Sequence, residues 1–237
     1  MKFTIVIPAH NEEKNIKICV MKVEDAVKWY DHEIIIVNDG SLDGTQWEAE
    51  KLVSGCVSLI NRQIGDNGFG KAVAAGIRAA TGDFVVPVMA DLSDETKDIT
   101  RMIRLAQTGR FDVIAGNRFT KQSLITGYPQ IKLLANRLFN HLVSVLFKVS
   151  YKDLSNAFKM YSTSFLRSIT ITAKDFDLTI ELPLKALIKG MRFAEIPNNW
   201  YGRKAGSPKW KLLKVSRVYF NRLFGLYRVW RKLNKKK

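Results

Sequence analysis

A mostly parallel α/β sheet flanked by helices is the fold that this chain of 237 residues predicts. Three observations carry that expectation. Phe3–Pro8, Glu33–Val37 and Phe84–Met89 are short apolar runs rich in β-branched residues. Each leads at once into acids, amides or glycine, the pattern of buried parallel strands whose carboxyl ends bear function. Segments with apolar residues at helical spacing separate these runs, which implies βαβ units.

Taken in order, Phe3–Pro8 is the first strand and ends in Ala9-His10-Asn11-Glu12-Glu13. Asn11 to Tyr30 carries Ile16, Val20, Val23 and Val27 at helical spacing, with Asn11 as cap and Glu12 and Glu13 in the first turn. Glu33–Val37 is the second strand and runs into Asn38-Asp39-Gly40-Ser41. A turn at Ser41–Gly44 opens a helix through about Leu52, and Val57–Asn61 is the third strand. Gly65–Gly70 reads as a loop and Lys71–Ala80 as an Ala-rich helix. The strand Phe84–Met89 leads into Ala90-Asp91-Leu92-Ser93-Asp94. A helix from about Asp94 to Gln107 and a strand at Asp112–Ala115 follow. Beyond these, Pro129 to Val149 is an amphipathic helix with Ile131, Leu134, Leu138, Leu142 and Val145 on one side. A helix near Leu182–Ile188 and a strand-like Phe193–Ile196 close this part. The expected organisation is one domain over residues 1–202, with a nucleotide-binding half at 1–117 and an acceptor-side half at 118–202. Residues 203–237 form a basic amphipathic segment.

Apolar residues make up 46% of the chain, which supports a sizeable core and argues against disorder. Cys19 and Cys56 have no metal-like spacing and read as free thiols in a reducing compartment. The chain opens directly on a strand, so no signal peptide is expected. No apolar run reaches the roughly 18–20 residues needed to span a bilayer. The expected location is cytoplasmic, peripheral on the inner face of a membrane. From Arg203 to Lys237 there are thirteen cations and no acid, so the tail holds thirteen of the sixteen net positive charges.

Two phosphate-binding motifs can be weighed on the residues. Gly65-Asp66-Asn67-Gly68-Phe69-Gly70-Lys71-Ala72 has the glycine and lysine spacing of a P-loop, but Ala72 stands where the Mg²⁺-binding hydroxyl belongs. It also follows the third strand. The turn after the first strand lacks the Gly-x-Gly-x-x-Gly of a dinucleotide site. Gly70 and Lys71 either place a backbone turn and a cation near a diphosphate or merely start a surface helix.

The acidic rim itself points to a nucleotide-sugar. One strand-end carboxylate accepts hydrogen bonds from a base or ribose. A later one holds Mg²⁺ or Mn²⁺, hard ions that prefer oxygen ligands and bridge diphosphate oxygens. Ile7–Glu12, Val37–Ser41 and Ala90-Asp91 resemble the signatures of family 2 glycosyltransferases with the GT-A fold. Gly116–Phe119, Asp153–Tyr161, Phe176–Glu181 and Arg203–Lys209 are similar to the polyprenol-phosphate branch, that of dolichol-phosphate mannose synthases. The resemblance runs from residue 2 to about residue 210.

This resemblance implies a GDP- or UDP-linked donor contacted by Pro8, Ala9, His10, Glu12 and Asp39. It implies Asp91 as metal ligand, and Arg118 as the phosphate-binding cation near the reaction centre. Arg203 and Lys209, with Lys132 or Arg137 of the amphipathic helix, would act toward the donor diphosphate or the acceptor phosphate. The acceptor would be a polyprenyl or dolichyl phosphate and the transfer inverting. The sequence departs from the family at Met89, which replaces the first acid of Asp-x-Asp, so the metal would lean on diphosphate oxygens, water and Asp94 or Ser93. His10 replaces a usual Tyr, and Asn38 one of two paired acids.

Structural alternatives stand beside these roles. Asp39 before Gly40 can be a turn residue. Asp91, Ser93 or Asp94 can cap the helix that follows. Glu181 lies in an apolar stretch, where burial demands a partner, so it either pairs with a cation or faces the sugar. His32 and His141 are expected to carry no site role.

In the tail, Leu212, Val215, Tyr219, Leu223, Leu226, Trp230 and Leu233 gather on one side of a helix, with Lys214, Arg217, Arg228 and Lys232 on the other. The pattern suits an in-plane helix of residues 210–237 on an anionic membrane surface, or a helix docked on the protein's own core. Nucleic acid is not an expected partner, because it leaves the acidic rim unexplained. A different acceptor on the same fold, or a non-catalytic nucleotide-sugar-binding protein recruited to a membrane, are the alternative functions.

Overall fold

The computed structural model describes residues 1–202 and 212–235, with side chains of the last helix described from Ser216. Arg203 and Lys209 lie outside the described residues. In chain order the elements are β1 (Phe3–Ala9), α1 (Ile16–Val27), β2 (His32–Asn38), α2 (Thr45–Glu50), β3 (Val57–Asn61), α3 (Phe69–Ala79), β4 (Phe84–Pro87), α4 (Asp98–Gln107) and β5 (Val113–Asn117). Then come β6 (Ile125–Thr126), α5 (Gln130–Phe147), β7 (Lys159–Ser162), α6 (Thr163–Arg167), α7 (Leu178–Ile188), β8 (Phe193–Pro197), β9 (Trp200–Tyr201) and α8 (Leu212–Asn234).

Seven strands form one sheet in the order β3-β2-β1-β4-β7-β5-β8, and β6 pairs with β9 in a second, two-stranded sheet. β1 to β4 are parallel, as are β5 and β8, while β7 runs antiparallel to both β4 and β5. The carboxyl ends of β1, β2, β4 and β5 therefore share one edge. Strand order reverses between β1 and β4, the crevice where open α/β sheets bind ligands. β7 and β8, from the second half of the chain, complete the same sheet.

The strands hold because their alternate residues feed two layers. Phe3, Ile5 and Ile7 of β1 pack with Ile16, Val20 and Val23 of α1 and Ile99, Met102 and Ile103 of α4. On the opposite face, Val6, Ile35 and Val37 pack with Ala72 and Val73 of α3 and Leu178 and Leu182 of α7. A third cluster joins α5, α7 and α8 through Phe139, Val143, Phe147, Ile180, Leu184 and Leu223.

Several expected boundaries move. Asn11 is not the cap of α1: it sits at φ +52°, and α1 begins at Ile16 with no acid in its first turn. Residues 11–13 instead stitch the first rim turn to the second. Asn11 Oδ1 accepts the Leu42 N–H at 2.8 Å, and the Glu12 N–H donates to Thr45 Oγ1 at 2.7 Å. β4 stops at Pro87, and α4 begins at Asp98 without a side-chain cap, so neither Ser93 nor Asp94 caps it. Residues 93–95 are held in extended contact with the segment after β8. Tyr201 N donates to Ser93 O at 2.8 Å, Glu95 N donates to Asn199 O at 3.3 Å, and Asp94 forms a bridge with Trp200.

Both amphipathic helices turn differently from the simplest expectation. The stripe on α5 exists, but Ile131, Leu134, Leu138 and Val145 are 60–76% exposed, and the buried face is Phe139, Asn140, Val143 and Phe147. On α8 the expected lipid face is the one docked on the protein: Tyr219, Leu223, Leu226 and Trp230 pack against α5 and α7. Phe139 meets Tyr219 with ring centroids 5.5 Å apart, and Phe147 meets Trp230 at 5.4 Å. Among its described residues, α8 exposes the apolar side chains of Val218, Phe220, Phe224, Val229 and Leu233.

Candidate active site

At one end of the rim, β1 and β2 deliver His10 and Asp39 side by side. Pro8 and Ala9 pair with Val37 and Asn38, and the Asp39 N–H donates to Ala9 O at 2.7 Å. His10 Nδ1 lies 2.8 Å from Asp39 O and 3.2 Å from Asn67 Nδ2. Asp39 is buried and its carboxylate is already engaged: Arg62 donates to Oδ1 and the Gly68 N–H to Oδ2 at 2.8 Å. Arg62 also reaches Asp66 Oδ2 at 2.8 Å, and Lys71 pairs with the other oxygen of Asp66. Asn67 bonds the carbonyls of Asp39 and Gly40. Gly40 is at φ +60°, and a Cβ there would stand 2.8 Å from Asn67 Nδ2, so this turn needs glycine. Glu12, buried beneath the rim, accepts from Asn15 Nδ2 at 2.7 Å.

The Gly68–Gly70 turn is not an open phosphate cradle. A Cβ on Gly68 would lie 2.2 Å from Lys174 O, and one on Gly70 would lie 2.8 Å from Ala173 O and Asp175 O. These glycines let the turn press against residues 173–175, and Phe69 stacks on Phe176 at 4.9 Å.

Across the crevice, β4 leads into the acidic loop. Asp91 Oδ1 accepts the Ser93 N–H at 3.1 Å, and Leu92 adopts φ +59°. Asp94 is buried, and its Oδ1 finds no hydrogen-bond partner among the described residues. Burial pushes its carboxyl up to about 7; Arg118 opposes that rise, and the carboxylates of Asp91, Asp153 and Asp98 add to it. An orphaned buried carboxylate oxygen beside a second acid suits a hard cation. Asp91 and Asp94 are the protein oxygens that would hold Mg²⁺ or Mn²⁺. No group of three or more His, Cys, Asp or Glu placed to hold a metal ion occurs among the described residues, so further ligands would come from diphosphate and water.

Beside that loop, β5 ends at Asn117 and places Arg118. Its Nε and Nη2 each reach a different oxygen of Asp153 at 2.7 Å, and its backbone N–H adds a 3.0 Å bond to Oδ2. Burial disfavours the guanidinium charge, but the Asp153 carboxylate outweighs that and holds the group firmly protonated. The guanidinium carbon lies 5.7 Å from the Tyr128 ring, Lys132 Nζ lies 5.7 Å from the same ring, and Arg137 lies 4.9 Å from Phe119. Tyr128 packs on Trp200 at 4.7 Å, which closes the circle back to Asp94. Three cations thus converge around two aromatic rings next to the acidic loop, an arrangement of positive charge that could hold a phosphate.

A cavity of about 330 Å³ lies between α5 and α8, with Lys132 and Tyr128 of this cluster in its wall. Tyr128, Lys132, Asn136 and Ser155 form its polar side, and Leu138, Phe139, Leu142 and Phe220 its apolar side.

Glu181 bonds to the segment before α7 and to cations of α7 and α8. It is fully buried and accepts from Thr172 N, Thr172 Oγ1, Ala173 N and Lys185 Nζ, with Arg222 3.7 Å away. Burial would raise its pKa, but these donors, led by Lys185, hold it below the usual range. Of its two expected roles, the described contacts are those of the paired one. Arg62 and Tyr128 carry no motif in the sequence, while Asn67, Ser155 and Asp153 fall inside motifs that assign them no role of their own. The signal for Arg62 was available, since it follows β3 on the same rim. Tyr128 and Ser155 lie in irregular segments with no periodicity to mark them.

The chain is 24% identical over 231 residues to the dolichol-phosphate mannosyltransferase of Pyrococcus furiosus, covering 97% of this chain and 64% of that protein. It is 25% identical to the dodecaprenyl-phosphate galacturonate synthase of Rhizobium johnstonii, covering 94% and 66%. It therefore spans about two thirds of the length of these relatives. Glucosyl-3-phosphoglycerate synthase of Mycobacterium tuberculosis, solved with Mn²⁺, UDP and phosphoglyceric acid, superposes with a TM-score of 0.73 at 18% identity, over 95% of this chain and 78% of that one. A further mycobacterial protein superposes with a TM-score of 0.75 at 19% identity, over 95% and 74%. The fold is that of these GT-A neighbours. The sequence model described as glycosyl transferase family 2 matches residues 4–170, and the chain belongs to that family.

Proposed function

We propose that the protein transfers a sugar from a GDP- or UDP-linked donor to a polyprenyl phosphate at a membrane surface. The observation that carries this reading is the cavity of about 330 Å³ between α5 and α8, whose wall joins Lys132, Tyr128, Asn136 and Ser155 to the apolar Leu138, Phe139, Leu142 and Phe220, a lining that suits a phosphate carrying a prenyl chain. Relatives that act on dolichol phosphate and dodecaprenyl phosphate support it.

In this reading His10 and Asp39 contact the nucleoside, and Arg62 turns from Asp39 as the base or ribose takes its place. Lys71 and the tail cations Arg203 and Lys209 are held in reserve for phosphate oxygens. Mg²⁺ or Mn²⁺, when bound at Asp91 and Asp94, offsets charge on the departing diphosphate. Arg118, Lys132 and Arg137 hold the acceptor phosphate. A phosphate monoester is largely dianionic at neutral pH, so its oxygen attacks the anomeric carbon without a general base. The new C–O bond forms as the bond to the nucleoside diphosphate breaks on the opposite face, which inverts the centre. Catalysis then rests on in-line placement and charge stabilisation.

No described helix is long and apolar enough to cross a membrane. The exposed Ile131, Leu134, Leu138 and Val145 of α5 and Phe220, Phe224, Val229 and Leu233 of α8 instead form the lipid-facing layer. Arg217, Arg228, Arg231 and Lys232 supply cations for anionic headgroups, on the inner face of the membrane. Filling the cavity tests the acceptor assignment. Ala135 also lines the cavity, and Ala135→Trp should raise the KM for polyprenyl phosphate by about tenfold or more, while donor KM stays within about twofold. An unchanged acceptor KM would place the prenyl chain elsewhere.

A further inference from the structure

Asn198 is fully buried in the turn after β8, and it bonds to several parts of the site at once. Its side-chain oxygen accepts from Asn156 Nδ2 at 3.0 Å, and its Nδ2 points to Asp98 Oδ2 at 3.4 Å. Its backbone N–H faces Asn117 O at 3.1 Å and Ser123 Oγ at 3.2 Å. Asn156 in turn donates to Gly116 O at 2.8 Å, and the buried Lys159 ammonium donates to Asn156 O. These bonds lead to opposite sides of the reaction centre. Asp98 opens α4 and ends the acidic loop that carries Asp91 and Asp94, while the next residue, Asn199, is bonded to Glu95 and Asp98. Asn117 immediately precedes Arg118, and Asn156 donates its backbone N–H to the carbonyl of Asp153, the partner of Arg118.

We infer that Asn198 and Asn156 are positioning residues that set the separation between the Asp91–Asp94 loop and the Arg118–Asp153 pair, and so between donor diphosphate and acceptor phosphate. The inference rests on the glycosyltransferase reading. Neither amide reaches the crevice: both are buried, and both exhaust their polar atoms on the protein. A buried amide pair satisfied this fully specifies one arrangement of the segments it joins. A small displacement of reacting groups lowers turnover far more than it lowers binding of either substrate.

The test uses the full chain, a nucleotide-sugar and a polyprenyl phosphate in detergent, with thermal melts alongside. Asn198→Asp keeps the side-chain shape and the acceptor for Asn156, but turns a donor into an acceptor facing the Asp98 carboxylate. Asn156→Ala cuts the other link. Both should lower kcat by about tenfold or more with donor and acceptor KM within about threefold. If Asn198→Asp does not fold, Asn156→Ala carries the same expectation. A kcat within twofold of the unaltered chain overturns the inference, as does a loss confined to KM. An unaltered chain that transfers no sugar overturns the function reading and this inference with it.

Discussion

Arg118 and Asp153, thirty-five positions apart in the chain, meet in a bidentate pair that is almost wholly shielded from water. The pair anchors the end of β5 to the segment before β7, so the cation nearest the acidic loop has a fixed direction. Removing one partner leaves an uncompensated buried charge, which costs about 3–5 kcal/mol. Asp153→Ala and Arg118→Ala should therefore both lower stability by that order, and both should nearly abolish transfer. Chemical denaturation checks the first expectation; a loss under 1 kcal/mol in both variants would contradict the shielding.

Asp91 is different, because it is only partly buried. Asp91→Ala should leave the melting temperature unchanged while removing the Mn²⁺-dependent part of GDP or UDP binding. Turnover should fall by about 10²–10³-fold, the usual loss when one electrostatic stabiliser is removed. Calorimetry with and without Mn²⁺ reads this directly, and equal metal enhancement in variant and parent would rule Asp91 out as ligand.

Lys159 gives a pH prediction. Burial pushes its ammonium down from 10.5 to about 7, with Asp153 opposing that shift. The unfolded chain therefore binds more protons than the native one between about pH 7 and 10.5. Stability should rise with pH across that window, and the penalty of charging Lys159 is fully present below it. Replacing the ammonium in Lys159→Met should flatten the rise. Parallel stability profiles for parent and variant would show that the buried ammonium is not its source.

Gly68 tests the contact between the nucleoside end and residues 173–175. The 2.2 Å clearance to Lys174 O leaves no room for a methyl group, and the Gly68 N–H is one of the donors to Asp39. Gly68→Ala should destabilise by about 1–3 kcal/mol and weaken nucleotide binding in step. Undiminished nucleotide affinity in a destabilised variant would separate the two.

The lipid-facing layer predicts selective loss of membrane binding. Leu134→Glu with Phe224→Glu should abolish flotation with anionic vesicles and leave the fold intact, since both side chains are exposed. Full flotation of the double variant would count against these faces.

Much of the rim was legible because buried strands and their polar ends leave a local signature. His10, Asp39, Asp91 and Arg118 each sit one or a few residues past such a run. Helical periodicity also located the stripe on α5, yet it carries no information on which side meets protein. That is why Ile131 and Leu134 face outward and Phe139 and Val143 inward. The same limit reversed the expected lipid face of α8. Pairings across long separations left no local trace. β7 is a four-residue strand inserted antiparallel between β4 and β5. Asn198 in Pro197-Asn198-Asn199 looks like an ordinary turn residue, and only burial reveals its partners.

The most direct measurement is sugar transfer by the full chain with labelled GDP-mannose or UDP-glucose, Mn²⁺, and either polyprenyl phosphate or the same polyprenol without its phosphate. The account predicts label in the lipid fraction with one donor, dependent on the acceptor's phosphate and lost in Asp91→Ala. Equal labelling of the unphosphorylated polyprenol, or no lipid labelling with an active donor site, would contradict it.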